Sequence, residues 1–446
     1  MAKNDYIEIM EKNHMEIPWH DYTENDSEVL IQQAGLIEKA SVVGRVGLIM
    51  LSCGTGAWRV RTSMNRLSKE LGVTCTVDVG LMSIEFNCFD GKECVSQSLS
   101  IANTGVNTSK LYRMEQFVNS FPSQEAHLTG EEIHKRLDEI EQIHELYSPV
   151  KLGWAAALAC CGFTFLLGGG PVEMIFAFIA AGVGNLIRMK LIKHHYTLFL
   201  NIAVSISAAC LTYAVCLHMA ELLLHVSAVH EAGYICSMLF IIPGFPFITS
   251  GIDLAKLDLR SGLERLTYSI IIVLGATMFA WIMALLLKLQ PQDFVALHLG
   301  SMMHLVLRLI ASFCGVFGFS IMFNSSVYIA ATAACIGAVA NTLRLELVDY
   351  AGMPSAAAAF IGALTAGLLA SIIKRDHGYP RISLTVPSIV IMVPGLYLYR
   401  AIYNFGIMSL TEAVLWFAAA IMIIVSLPLG LIFARILTDR TFRYCS

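Results

Sequence analysis

The residues of this sequence that could do chemistry sit inside otherwise apolar runs. Pro243-Gly244 and Pro394-Gly395 each interrupt such a run. Proline removes a backbone donor and clashes with the preceding turn, so each pair predicts a broken helix whose freed backbone groups could line a cavity. Ser237, Thr249 and Ser250 lie near the first break, and Ser388, Tyr397, Tyr399 and Arg400 near the second. Asn185 and Asn341 each offer donor and acceptor groups, to a substrate's carboxylate or ammonium group or to a neighbouring helix. Asp253 and Glu173 are the candidate proton carriers. The alternatives are pairing with Lys256 for Asp253, and for Glu173, two residues after Pro171, a first-turn position favoured by the helix dipole. The expected substrate-binding set is Asn185, Ser237, Pro243, Gly244, Thr249, Asn341, Ser388, Pro394, Gly395 and Tyr399; the expected proton-coupling pair is Asp253 and Glu173.

Such residues need membrane helices to position them, and the composition supplies them. The 446 residues are 56% hydrophobic and 14% charged, against roughly 25% charged in soluble domains. Residues 1–148 have ordinary charge density; beyond Pro149 apolar runs alternate with short polar loops. A span needs about 20 apolar residues. Ten candidates follow, near 150–167, 171–189, 196–218, 232–251, 266–288, 306–323, 326–343, 354–373, 383–403 and 411–436. With an inside start, the inner loops receive Lys151, Arg188, Lys190, Lys193, Lys256, Arg260, Arg265, Lys374, Arg375, Arg381, Arg435, Arg440 and Arg443. The outer side receives Lys288, Arg308, Arg344 and Arg400. That asymmetry predicts both termini in the cytoplasm. Arg308 reads as an interface anchor.

The second half repeats the first. An offset of 156 aligns Gly162-Phe163 with Gly318-Phe319, Asn185 with Asn341 and Arg188 with Arg344; an offset of 151 aligns SMLFIIPG from Ser237 with SIVIMVPG from Ser388. Five spans per copy is an odd number, so the second copy enters from the opposite face. The halves are then related by a pseudo-two-fold axis in the membrane plane, as in many secondary transporters.

The expected fold class is a polytopic α-helical membrane protein of about ten transmembrane helices, two inverted five-helix repeats preceded by a small soluble α/β domain. Its expected parts are a tail (1–27), a cytoplasmic α/β domain (28–148) and the two repeats (149–290 and 291–446). In the front domain two helices meet at a turn marked by Gly54 and Gly56, three strands follow with a turn at Asp90-Gly91, and Thr129 with Glu132 predicts a capping box. Ser52-Cys53-Gly54-Thr55-Gly56 reads as that helix end and turn. No apolar run with a cleavage site opens the sequence, so the front domain is expected in the cytoplasm. His134 and His144 are ten apart and match no metal motif, and the cysteines match no zinc signature. The net charge of -4 and the lack of a basic block exclude nucleic acid.

The stretches RVGLIMLSCGTGAWRVRTSMNRLSKELGV and HLTGEEIHKRLDEIEQI, a glycine-rich first span, and the Pro-Gly breaks in the fourth and ninth spans together resemble the threonine/serine exporter family. The likeness runs from about Glu28 onward. It implies inner-membrane export of threonine and serine driven by the proton motive force. Relatives split into two polypeptides are associated with succinate export, so a dicarboxylate is the alternative substrate class. Hydrolase activity has been suspected in the family's front domain; here there is no GxSxG motif and no histidine close to a nucleophile in sequence. A channel would need pore-lining rings, and an enzyme a phosphate loop, metal cluster or activated nucleophile, none of which the sequence displays. The expected partners are a small substrate, protons and lipid, without cofactor or metal; homo-oligomerisation is left open.

Overall fold

A computed structural model describes residues 16–23, 29–143, 145–225, 230–291, 293–295, 297–377 and 379–443; Glu28 and His144 lie outside the described residues. The chain forms two compact units, Met1–Glu145 with Ile252–Arg265, and Leu146–Gly251 with Leu266–Ser446.

In the first unit, helices α1 (Leu36–Ser52) and α2 (Ala57–Glu70) precede an antiparallel sheet of β1 (Thr74–Val79), β2 (Ser83–Phe89) and β3 (Cys94–Ser100), in that order. Ile84, Phe86 and Cys88 alternate onto the buried face of the central strand, as a period of two requires. Phe86 packs so closely on α1 that a Cβ at Gly44 would strike its ring. The α1–α2 turn contains Gly54 at φ +77°, a left-handed conformation that glycine adopts without a steric penalty. Asp90 Oδ1 accepts from the Lys92 and Glu93 amides at 2.8 Å each to close the β2–β3 turn. Helix α3 (Thr108–Ser120), capped by Asn107, is an element the sequence reading does not anticipate. Helix α4 (Gly130–Glu141) starts at the expected capping box of Thr129 and Glu132.

The remaining helices are α5 (Pro149–Leu166), α6 (Pro171–Lys193), α7 (Leu198–Leu224), α8 (Gly233–Ser237), α9 (Gly244–Ala255) and α10 (Leu259–Leu287). The second half supplies α11 (Ser301–Met322), α12 (Val327–Asp349), α13 (Ser355–His377), α14 (Arg381–Val390), α15 (Gly395–Gly406) and α16 (Leu410–Thr438). Among the described residues eight helices are long and apolar enough to cross a membrane. Two bent pairs bring the total to ten: Gly233–Ile241 with Gly244–Ala255 at 58°, and Arg381–Val390 with Gly395–Gly406 at 49°. Packing repeats in register: α5 on α6 as α11 on α12, α6 on α7 as α12 on α13, and α6 on α8 as α12 on α14, with α5 against α11 joining the halves. The end of α9 and the start of α10, Ile252–Arg265, belong by their contacts to the first unit.

Candidate functional site

The two breaks are copies of one another at the level of single hydrogen bonds. Gly244 N donates to Ile242 O and Gly395 N to Val393 O, both at 2.8 Å. Pro394 between them has φ -81° and ψ 56°, an inverse γ-turn. Phe247 N reaches Pro243 O at 3.2 Å, as Leu398 N reaches Pro394 O at 3.0 Å. Ser237 Oγ donates to Tyr234 O at 2.6 Å and Ser388 Oγ to Thr385 O at 2.7 Å. Each correspondence keeps the offset of 151.

The breaks also meet each other reciprocally. A Cβ on Gly244 would strike Val390 and crowd Val393, and one on Gly395 would strike Leu239 and crowd Ile242. At the α5–α11 crossing, a Cβ on Gly162 would meet Ala311 O, and one on Gly318 would meet Ala155 O. Phe163 packs on its own counterpart Phe319, ring centroids 6.3 Å apart at 81°. When residue i touches j and the mate of j touches the mate of i, the contact lies on a two-fold axis. A void of about 10 Å³ remains there, lined by the four pairs Phe163 and Phe319, Leu239 and Val390, Ile242 and Val393, Gly244 and Gly395. That volume is at the lower limit for one water, so the axis is packed shut in this conformation.

The other expected binding residues, and Ser250 beside them, are held by local hydrogen bonds. Asn185 Nδ2 donates to Leu152 O and Asn341 Nδ2 to Ser312 Oγ, each at 2.9 Å, and both Oδ1 atoms are buried without a hydrogen-bond partner among the described residues. Thr249 Oγ1 donates to Phe245 O at 3.1 Å, and Ser250 Oγ to Phe247 O at 2.8 Å. Tyr399 is fully buried with its hydroxyl 2.6 Å from that of Tyr234. A larger cavity, about 90 Å³, lies beside the second break and is lined among others by Arg344, Ser355, Pro394, Gly395 and Tyr397. Arg308, at the start of α11, is ion-paired with Glu346 and Asp349.

Glu173 is 1% exposed. Its Oε2 accepts from Gly170 N at 2.9 Å, and its Oε1 lies 2.7 Å from His230 Nδ1. Tyr213 donates to His230 O at 2.6 Å and so fixes the histidine backbone. A buried carboxylate against an imidazole can pass a proton between them. His230 carries no motif, and sequence reasoning missed it.

A family model described as "Putative threonine/serine exporter" matches residues 41–287, and a second, "Threonine/Serine exporter, ThrE", matches residues 308–437. The chain belongs to the threonine/serine exporter family. Among curated relatives is a protein named "Probable succinate transporter subunit YjjP" from Klebsiella aerogenes, 25% identical over 243 residues, covering 53% of this chain and 89% of that protein. Its namesake from Escherichia coli K12 is 24% identical over 243 residues, covering 54% and 90%. No solved structure matches the chain. As a member of the threonine/serine exporter family, the chain is a multi-pass membrane transporter.

Within this exporter family member, Asp253 is bound entirely inside the first unit. Its Oδ1 accepts from Ala57 N at 3.1 Å, and its Oδ2 accepts from Ser261 Oγ at 3.0 Å and lies 3.3 Å from Arg265 Nε. Arg265 donates onward to Gly54 O at 3.1 Å and Thr55 O at 2.6 Å. The carboxylate thus caps α2 and clamps the Gly54–Gly56 turn, a role for which its distance in sequence gives no hint.

The same unit brings a histidine against a serine. Ser41 Oγ lies 3.0 Å from His134 Nε2, both buried. Arg45 NH1 faces His134 Nδ1 at 3.3 Å. Arginine only donates, so Nδ1 must accept and Nε2 must carry the proton. Ser41 spends its own proton on Glu38 O at 2.7 Å. The imidazole therefore donates to the serine and does not activate it. No group of three His, Cys, Asp or Glu side chains able to hold a metal occurs among the described residues.

Proposed function

We propose that this chain exports small polar metabolites, threonine and serine foremost, by alternating access coupled to the proton motive force. In this reading it lies in the cytoplasmic (inner) membrane with both termini in the cytoplasm. The observation that carries the proposal is the reciprocal contact of the two Pro-Gly breaks, Gly244 on Val390 and Val393, Gly395 on Leu239 and Ile242. Two near-identical breaks facing opposite ways can exchange their environments at little net cost, which is what alternating access needs. Asn185, Ser237, Pro243, Gly244, Thr249, Asn341, Ser388, Pro394, Gly395 and Tyr399 border the path in this scheme. The unpartnered Oδ1 atoms of Asn185 and Asn341 are acceptors suited to an ammonium group.

For coupling, Glu173 is favoured over Asp253. Glu173 has a titratable partner in His230, whereas Asp253 is saturated by a backbone amide, a hydroxyl and a guanidinium. One observation favours a second substrate class: the matched relatives are named for succinate. We propose no hydrolytic step for the front unit.

The test is counterflow of labelled threonine, serine and succinate in proteoliposomes, with and without a pH gradient, for the intact protein and Glu173→Gln. Saturable exchange of one solute class is expected, with Glu173→Gln retaining exchange but losing gradient-driven accumulation. No exchange of any solute by folded protein would overturn the transporter reading. Unchanged accumulation by the variant would remove Glu173 from coupling.

A further inference from the structure

Resting on that transport reading, we propose that the cavity beside the second break is a carboxylate site, with Arg344 and the amides of Leu396 and Tyr397 as its donors. Arg344 is half-buried on α12 and lines the cavity of about 90 Å³. Its NH1 is anchored on Met392 O at 3.3 Å, while its Nε is buried without a hydrogen-bond partner among the described residues. Glu346 and Asp349, the acids following it on α12, are both engaged by Arg308, and Arg344 makes no ion pair among the described residues. A guanidinium held at one corner, uncompensated and turned to a cavity, is a donor fork in want of a carboxylate.

The break supplies the rest. Leu396 and Tyr397 both line the cavity. They stand in the first turn of the 12-residue helix α15, where amides have no intrahelical acceptor and the helix dipole favours negative charge. Arg188 matches Arg344 and reaches Phe240 O at 3.5 Å, but the residue matching Tyr397 is Pro246, which has no N–H to offer. Only the second break can therefore present two successive amides to an anion. The cavity has room for on the order of six water-sized groups, so the carboxylate and a short chain fit. Threonine and succinate share this chemistry. By the loop charges the cavity lies toward the predicted outer face, where a solute leaving the cell would be bound last.

Ser355 lines the same cavity and provides the readout. Intact protein carrying Ser355→Cys is reconstituted and labelled with a membrane-impermeant thiol reagent, against wild-type protein as the background. Labelling is followed with threonine, threonine amide, succinate and succinamide added, and counterflow of threonine and succinate is measured on the same vesicles. The acids should slow labelling and their amides should not. Adding Arg344→Gln should raise the half-protecting concentration about tenfold or more, and Arg344→Lys, a point charge without the fork, by less. Equal protection by acid and amide in the unsubstituted-arginine protein would overturn the proposal without any arginine variant, so a misfolded variant cannot rescue it. Protection unchanged in Arg344→Gln would overturn it as well. Acid-selective, Arg344-dependent protection without counterflow would uphold the site and overturn the transport reading; counterflow without protection would do the reverse.

Discussion

Asp253→Asn separates a clamp from a proton carrier. The substitution keeps the volume and one acceptor oxygen for Ala57 N, but it removes the charge opposite Arg265. The two side chains are 1% and 3% exposed, and removing one partner of a buried pair costs about 3–5 kcal/mol. Arg265 keeps the carbonyls of Gly54 and Thr55, which places the expectation near the lower end, about 3 kcal/mol. At about 1.4 kcal/mol per decade, local opening of the α1–α2 turn should become about a hundredfold more frequent. Hydrogen exchange of the peptide covering Gly54–Val60 in the intact, detergent-solubilised protein measures this directly. Exchange there should accelerate by about two decades while strand β2 is unchanged. Unaltered exchange combined with loss of gradient-driven transport would refute the clamp and restore Asp253 as a coupling residue.

Leucine at Gly162 or at Gly318 should each abolish transport, and to a similar degree, because each glycine meets the carbonyl that mirrors the other's; counterflow of folded variants checks this, and a large inequality would argue against the axis. The front unit should respond to pH in two opposite ways. His20 is raised above its ordinary 6.5, first by its hydrogen bond to Glu131 and also by that to Asp138. Its tie on the short helix Trp19–Tyr22 is therefore full below about pH 6.5 and weakens as pH rises through the raised value. Exchange of residues 16–23 should quicken from about pH 6 to 8, and His20→Gln should flatten that profile. His134 is pushed down to about 4 by burial, so the unfolded chain binds protons first and the unit should lose stability as pH falls from 6.5 toward 4. Urea midpoints for unfolding of this unit across that range provide the check.

The parts legible in the sequence were those set by local chemistry. Pro243-Gly244 and Pro394-Gly395 marked the bends because proline cannot continue a hydrogen-bond ladder whatever surrounds it. Asp90-Gly91 and the Thr129–Glu132 box likewise needed only near neighbours. The paired spans came from a repeat visible at fixed offsets. What stayed hidden was set by long-range packing. His230 meets Glu173 across 57 residues, Asp253 meets Ala57 across 196, and Ser41 meets His134 across 93. Helix α3 is an exception, a locally legible element that the sequence reading overlooks: Leu111, Met114, Phe117 and Val118 recur at helical spacing behind the Asn107 cap. In the sequence Arg344 counts only as an outer-side charge and the repeat's match to Arg188; the void beside it and the pairing of Glu346 and Asp349 with Arg308 depend on packing.

The reciprocal contact also explains what a fused chain gains over two identical ones. In a homodimer built on this axis any residue must appear twice, so an acid suited to one side would be imposed on the other. Joining the copies in one polypeptide frees them to diverge where the two sides of a membrane differ. Glu173 has Ile329 as its counterpart, itself 1% exposed, and Tyr397 has Pro246. Under the alternating-access proposal, the shared geometry at the crossing would keep the two states close in energy, while these unshared side chains would let each side of the membrane meet different chemistry.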